Sequence, residues 1–178
     1  MKKTIKNIYL SLKYFSLIWG NINIDSSAKI RLSVIRGNVR IGPKASIYQS
    51  NIYGNTIIGE ATSLTGPGLF IHSIKKTVNL KSYISIAPGV KIITSGHSLD
   101  APTTSFRAGG MQTEKNIEIG HHSWVAAGAI ITEGTVIGDY SVIASGGVAV
   151  GKFYKGRCIW GGVPLKRIGD YDPDGQQT

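Results

Sequence analysis

His97 is the residue of this chain best placed to move a proton. It lies in the run ITSGHSLD, where Asp100, three residues on, supplies a carboxylate able to orient the imidazole and strengthen it as a base. Such a pair suits general acid–base chemistry. The other histidines, His72, His121 and His122, do not make a metal set. The adjacent pair falls at a turn where both rings are expected to face outward, and it lacks a third ligand at suitable spacing, so no metal is expected.

The elements that must hold His97 show in a strict period of six. Ile119, Val125, Ile131, Ile137, Ile143 and Ala149 recur at that interval, each followed in most hexads by a small residue. The fifth residue of each hexad is small as well: Ser123, Ala129, Thr135, Ser141 and Gly147. Neither a 3.6-residue helix nor an alternating strand explains this period. A triangular solenoid does: one inward aliphatic residue and one tight corner per hexad, with three hexads, or about 18 residues, per coil.

The fold class expected is therefore all-β, a left-handed parallel β-helix of hexapeptide repeats with a short N-terminal helix and an extruded loop. The register recurs upstream at Ile35, Ile41 and Ile47, at Ile58 and Leu64, and at Ile74, Leu80, Ile86 and Ile92, with slips near Ile30, Ile52 and Phe70. Three segments follow: an amphipathic cap over 1–20, the solenoid over 21–154 with residues 95–116 thrown out as a loop, and a C-terminal strand and polar tail over 155–178. His97 stands where the period breaks.

In the first segment Ile5, Ile8, Tyr9, Leu12, Phe15 and Trp19 share one side of a predicted helix flanked by Lys2, Lys6 and Lys13. Two roles are open to that apolar face: covering the first coil, or meeting an anionic membrane surface. No unbroken apolar run of signal-peptide length is present, and one cysteine permits no internal disulfide. A cytoplasmic protein is expected, peripheral to the inner membrane face if residues 1–20 touch lipid. The net charge of +10 is lopsided: residues 1–99 hold 13 Lys and Arg against Asp25 and Glu60 alone. Such a field draws an acidic glycan or a lipid surface, and nucleic acid is not expected because no binding motif accompanies the charge.

The runs ITSGHSLD, IEIGHHSWVAAGAIITEGTVIGDYSVIASGG and WGGVPLKRI, in that order over roughly residues 80–168, resemble the hexapeptide-repeat O-acetyltransferases. The likeness is greatest to the maltose and nodulation-factor enzymes and to those acting on bacterial surface polysaccharides. It implies acetyl-CoA as donor, a homotrimer with sites between neighbouring subunits, and direct transfer of acetyl to a glycan hydroxyl of a capsule, lipopolysaccharide or similar polymer, with His97 as general base. The sequence agrees with direct transfer: Cys158 is remote from the loop, and no Gly-x-Ser-x-Gly element offers an activated serine.

By the same resemblance Trp124 lies near the histidine, positioning the thioester, with its backbone N–H offered to the oxyanion. Ala127 and Ser145, one coil apart, face the pantetheine arm, and Lys166 and Lys152 suit the phosphates. Two departures from the pattern stand out. The Thr-Lys of the family aligns with Val150 and Gly151, leaving Lys152 one place late. The glutamate that pairs with the histidine in maltose-type enzymes is replaced near its place by Met111, with Glu114 beyond it, so Asp100 is taken as the partner. Alternatives from the same residues are N-acetylation of an amino-sugar nucleotide, acetylation of an antibiotic, or a non-catalytic scaffold.

Overall fold

The six-residue period becomes three columns of apolar side chains in a parallel β-helix. The computed structural model describes residues 2–97 and 113–174. In the first column Ile18, Ile35, Ile52, Ile71, Ile92, Ile131 and Ala149 stack in register. In the second stand Ile24, Ile41, Ile58, Leu80, Ile119, Ile137 and Tyr154. In the third stand Ile30, Ile47, Leu64, Ile86, Val125, Ile143 and Trp160. All are buried except Ile24 and Trp160, which are partly so. Each burial contributes about 1.5–3 kcal/mol, and the columns together offset the entropy of ordering the chain.

Small residues at the corners are explained by the turns between faces. Ser123, Ala129, Thr135 and Ser141 are all buried, where a larger side chain would meet the coil above or below. The serines also link coils. The backbone N–H of Ser141 donates to Ser123 Oγ, 18 residues earlier, at 3.2 Å. Toward the N-terminus Ser33 N–H donates to Ser16 Oγ and Ser50 N–H to Ser33 Oγ, each 17 residues back. The first coils, as far as Leu64, are thus one residue shorter and those that follow are longer, as Ile58 pairs with Leu80 and Leu64 with Ile86, which is why the hexad register slips there.

One register position needs correcting. Ile74 does not point inward; it is 42% exposed, and Ile71 and Val78 fill the core instead. Gly54 pairs with Ser73 but Asn55 pairs with Thr77, so residues 74–76 are an insertion carried on the outside of the strand Ser63–Leu80.

The N-terminal helix also differs from its expected form. It spans Lys2–Tyr14 and gives way to a strand Leu17–Ile24, so Trp19 belongs to the first coil and not to the helix. Phe15 takes a left-handed φ of 47°, which ends the helix. The helix docks through Asn7, Leu10 and Tyr14, all buried. The stripe of Ile5, Ile8, Tyr9, Leu12 and Phe15 is turned away and is 54–76% exposed, so within the chain it does not cover the first coil. Leu12 and Phe15 line an open groove of about 560 Å³ with Leu17, Leu32 and Val34.

Along the edge between the second and third faces, Lys44, Ala61, Tyr83, His122, Tyr140 and Arg157 all adopt φ between 52° and 62°. Non-glycine residues pay about 1–2 kcal/mol for that conformation. Stacking returns part of it: the His122 ring centroid lies 4.8 Å from those of both Tyr83 and Tyr140, nearly parallel to each, and the Arg157 guanidinium sits 4.9 Å from the Tyr140 ring. The solenoid closes on an antiparallel pair, Cys158–Gly161 with Lys166–Asp170, and an exposed Arg167–Asp170 ion pair lies within the last strand.

Candidate active site

His97 is delivered by a departure from the prism. After Ile93 the chain stays hydrogen-bonded to the coil below through Thr94 N–H and His72 O, at 3.1 Å. It then leaves as Ser95–Gly96 and returns antiparallel as Thr113–Glu114, with Ser95 opposite Glu114. Lys115 N–H closes the neck on Thr94 O at 3.2 Å. His97 is the next residue out along this ribbon and is exposed. Asp100 lies outside the described residues.

The ribbon brings forward a residue passed over in favour of Asp100. Ser95 and Glu114 stand opposite each other across the ribbon, and His97 follows Ser95 by two residues. Both carboxylate oxygens of Glu114 are buried, and neither has a hydrogen-bond partner among the described residues. A buried carboxylate in that condition is costly unless a cation or donor completes it. Sequence spacing hides the relation because 17 residues separate Glu114 from His97 and only the antiparallel return brings them together.

The remaining candidates sit elsewhere on the prism. Trp124, 50% exposed on the outside of the third face, lies in register between Ser85 and Val142. Its backbone N–H donates to Ser141 O at 2.8 Å, within the coil-to-coil ladder, so that N–H is already committed and the oxyanion role assigned to it is withdrawn. Ala127 and Ser145 head successive turns on the edge between the third and first faces, with Gly146 N–H donating to Ala127 O at 2.9 Å. Gly128 and Gly146 follow them at φ 70° and 68°, as turns of this type require. Lys166 pairs with Gly161, one rung beyond Ala144, and so belongs to the same corner region.

Lys152 does not join them. It precedes the strand Phe153–Tyr154 on the edge between the first and second faces, with its Nζ 5.3 Å from the Tyr154 ring. Within one chain the candidates therefore form two groups: His97, Glu114 and Lys152 along one edge, and Trp124, Ala127, Ser145 and Lys166 at the other, with the width of the first face between them. Of the other histidines, His121 accepts a hydrogen bond from Ser82 N–H through Nδ1, and His122 is held in its ring stack. Cys158 is buried.

No family model matches the chain. It is 31% identical over 99 residues to the galactoside O-acetyltransferase of Escherichia coli K12, a match covering 54% of this chain and 47% of that one. It spans a third to a half of the curated relatives it matches. Among solved structures it superposes on the polySia-specific acetyltransferase NeuO with a TM-score of 0.72 at 22% identity, over 89% of this chain and 76% of that one. It also superposes on AntD, an N-acyltransferase from Bacillus cereus solved with dTDP and 3-hydroxybutyryl-CoA, with a TM-score of 0.53 at 16% identity, over 94% and 88% of the two chains. In repeat pattern and in fold the chain is similar to these acetyl- and acyltransferases.

Proposed function

We propose that the protein is an acetyl-CoA-dependent O-acetyltransferase acting on a hydroxyl of a bacterial surface glycan. The observation that carries this reading is the placement of His97 at the one large break in a seven-rung prism, on a ribbon that also holds the buried Glu114 carboxylate. His97 takes the hydroxyl proton as the oxygen attacks the thioester carbonyl; the carbon–oxygen bond forms, the carbon–sulfur bond breaks, and the proton passes on to the CoA thiolate. Glu114 steadies the imidazolium between those steps, a role first given to Asp100. Ala127 and Ser145 offer corner backbone to the pantetheine arm, Trp124 packs near the thioester, and Lys166 meets the phosphates.

The separation of the two groups by a whole face supports a site completed by a second subunit, with His97 of one copy facing the Ala127–Ser145 edge of the next in a homotrimer. Lys152, on the His97 edge, then reaches CoA only across that boundary. The test is release of the CoA thiol when the purified protein meets acetyl-CoA with acidic and neutral oligosaccharides. Thiol release that depends on the sugar is expected; failure to bind CoA at all refutes the reading.

The exposed stripe of the N-terminal helix supports a cytoplasmic protein held at the inner membrane face. Among the described residues no helix is long and apolar enough to cross a membrane. Ile5, Ile8, Leu12 and Phe15, with Lys6 and Lys13 beside them, suit contact with an anionic lipid surface. The protein is expected to sediment with vesicles containing anionic phospholipid and to be released by the double change Leu12→Asp and Phe15→Asp. Equal recovery in the supernatant with and without vesicles removes the membrane role.

A further inference from the structure

The edge that carries His97 extends toward the N-terminus as a line of cationic and aromatic side chains. On the outside of the first face Trp19, Arg36, Tyr53 and His72 fall in register on four successive rungs, and the next member of the column is Ile93, four residues before His97. Rungs of a sheet are about 4.8 Å apart, comparable to the length of one sugar unit in an extended chain.

Beside this column the chain turns with almost no side chain in the way. Gly20, Gly37 and Gly54 stack there at φ 127°, 124° and 98°, and a Cβ on any of them would strike the backbone of the next rung. The space left open is a groove of about 380 Å³ whose lining includes Arg36, Tyr53, His72, Ser73 and Ile74. Its far lip is the insertion at residues 74–76, pinned by a hydrogen bond from Asn55 Nδ2 to Ile74 O at 3.0 Å. Lys75 and Lys76 on that lip are exposed. Among the described residues no carboxylate lines the groove, and Glu60, one of the two acids in residues 1–99, is engaged by Lys44 at 3.3 Å.

Arg36, Lys75 and Lys76 supply donors for carboxylates, and the rings of Tyr53 and His72 offer flat apolar faces for a pyranose. We infer that this groove binds an extended acidic oligosaccharide and leads it to His97. The binding stands by itself, whereas its service as acceptor rests on the acetyl-transfer reading above. The slip in the repeat at residues 74–76 then has a purpose, since a strand in perfect register would have no lip.

The test is calorimetric titration of the full chain with tetragalacturonate, with a sialic acid tetramer, and with neutral maltotetraose. At least one acidic tetramer is expected to bind, more weakly as salt rises, and maltotetraose to bind roughly tenfold or more weakly. The triple change Arg36→Ala, Lys75→Ala and Lys76→Ala should weaken the acidic ligand by about tenfold or more while CoA affinity and the unfolding temperature are kept. Binding by the parent protein that is lost in the triple variant upholds the groove; if that parent protein transfers no acetyl group, only the acetyl-transfer reading is refuted. Failure of both acidic tetramers to bind, equal affinity for maltotetraose, or an unweakened triple variant overturns the inference.

Discussion

Alanine at position 97 is expected to lower acetyl transfer about a hundred- to ten-thousandfold, the range that a positioned base contributes, while CoA affinity stays as it was. His97 is exposed at the end of a two-stranded ribbon and packs into none of the three core columns, so its loss leaves the fold alone. Glu114 separates positioning from catalysis. Glutamine there removes a buried charge and should leave stability unchanged or raised, yet lower kcat on the order of tenfold with KM little moved. Aspartate at 114 should recover part of the loss. Retained turnover in the His97 variant ends the proposed mechanism; a Glu114→Gln protein as active as the parent returns the orienting role to Asp100.

Gly54→Ala is expected to be the most damaging single methyl in the chain. The added Cβ would stand 1.3 Å from Ser73 O, a backbone atom that cannot swing aside, and φ at this position is 98°. The cost should be at least about 3 kcal/mol, out of a total stability on the order of 5–15 kcal/mol, lowering Tm by roughly 6–12 °C or preventing folding. Gly146→Ala is the control. It shares a left-handed backbone, at φ 68°, but no atom lies within 4 Å of the added methyl, so only the conformational cost of about 1–2 kcal/mol applies. Thermal unfolding of the two variants measures the difference, and equal losses would mean that close stacking at the groove edge is not what holds these coils.

The period of six was legible wherever coils are uniform. From Ile119 to Ala149 each aliphatic member of the repeat is buried as the spacing requires. Upstream, the same counting put Ile74 in the core because it assumes corners of constant length, whereas the coil there is lengthened by the insertion of residues 74–76. The helix was legible as amphipathic, but its wide apolar surface concealed which stripe docks: Leu10 and Tyr14 do, and the more obvious stripe faces out. His97 was legible because a break in a regular solenoid advertises itself. Glu114 was not, because its place on the ribbon that leads to His97 depends on an antiparallel return that no periodicity encodes. The Trp124 N–H was misassigned because sequence does not tell which amides the ladder uses.

The stacking of seven rungs also governs how the molecule comes apart. Each coil touches only the coils on either side, so opening starts where a coil has a single neighbour and proceeds inward. The rung that bears His97, marked by Ile92 in the first column, has Ile18, Ile35, Ile52 and Ile71 before it and Ile131 and Ala149 after it. Fraying that loosens the helix at one end or the terminal strand at the other must consume intervening coils before it reaches the neck that leads to His97. The proposed chemistry thereby sits in the interior of a linear stack, and the flanking coils serve as its thermal insulation.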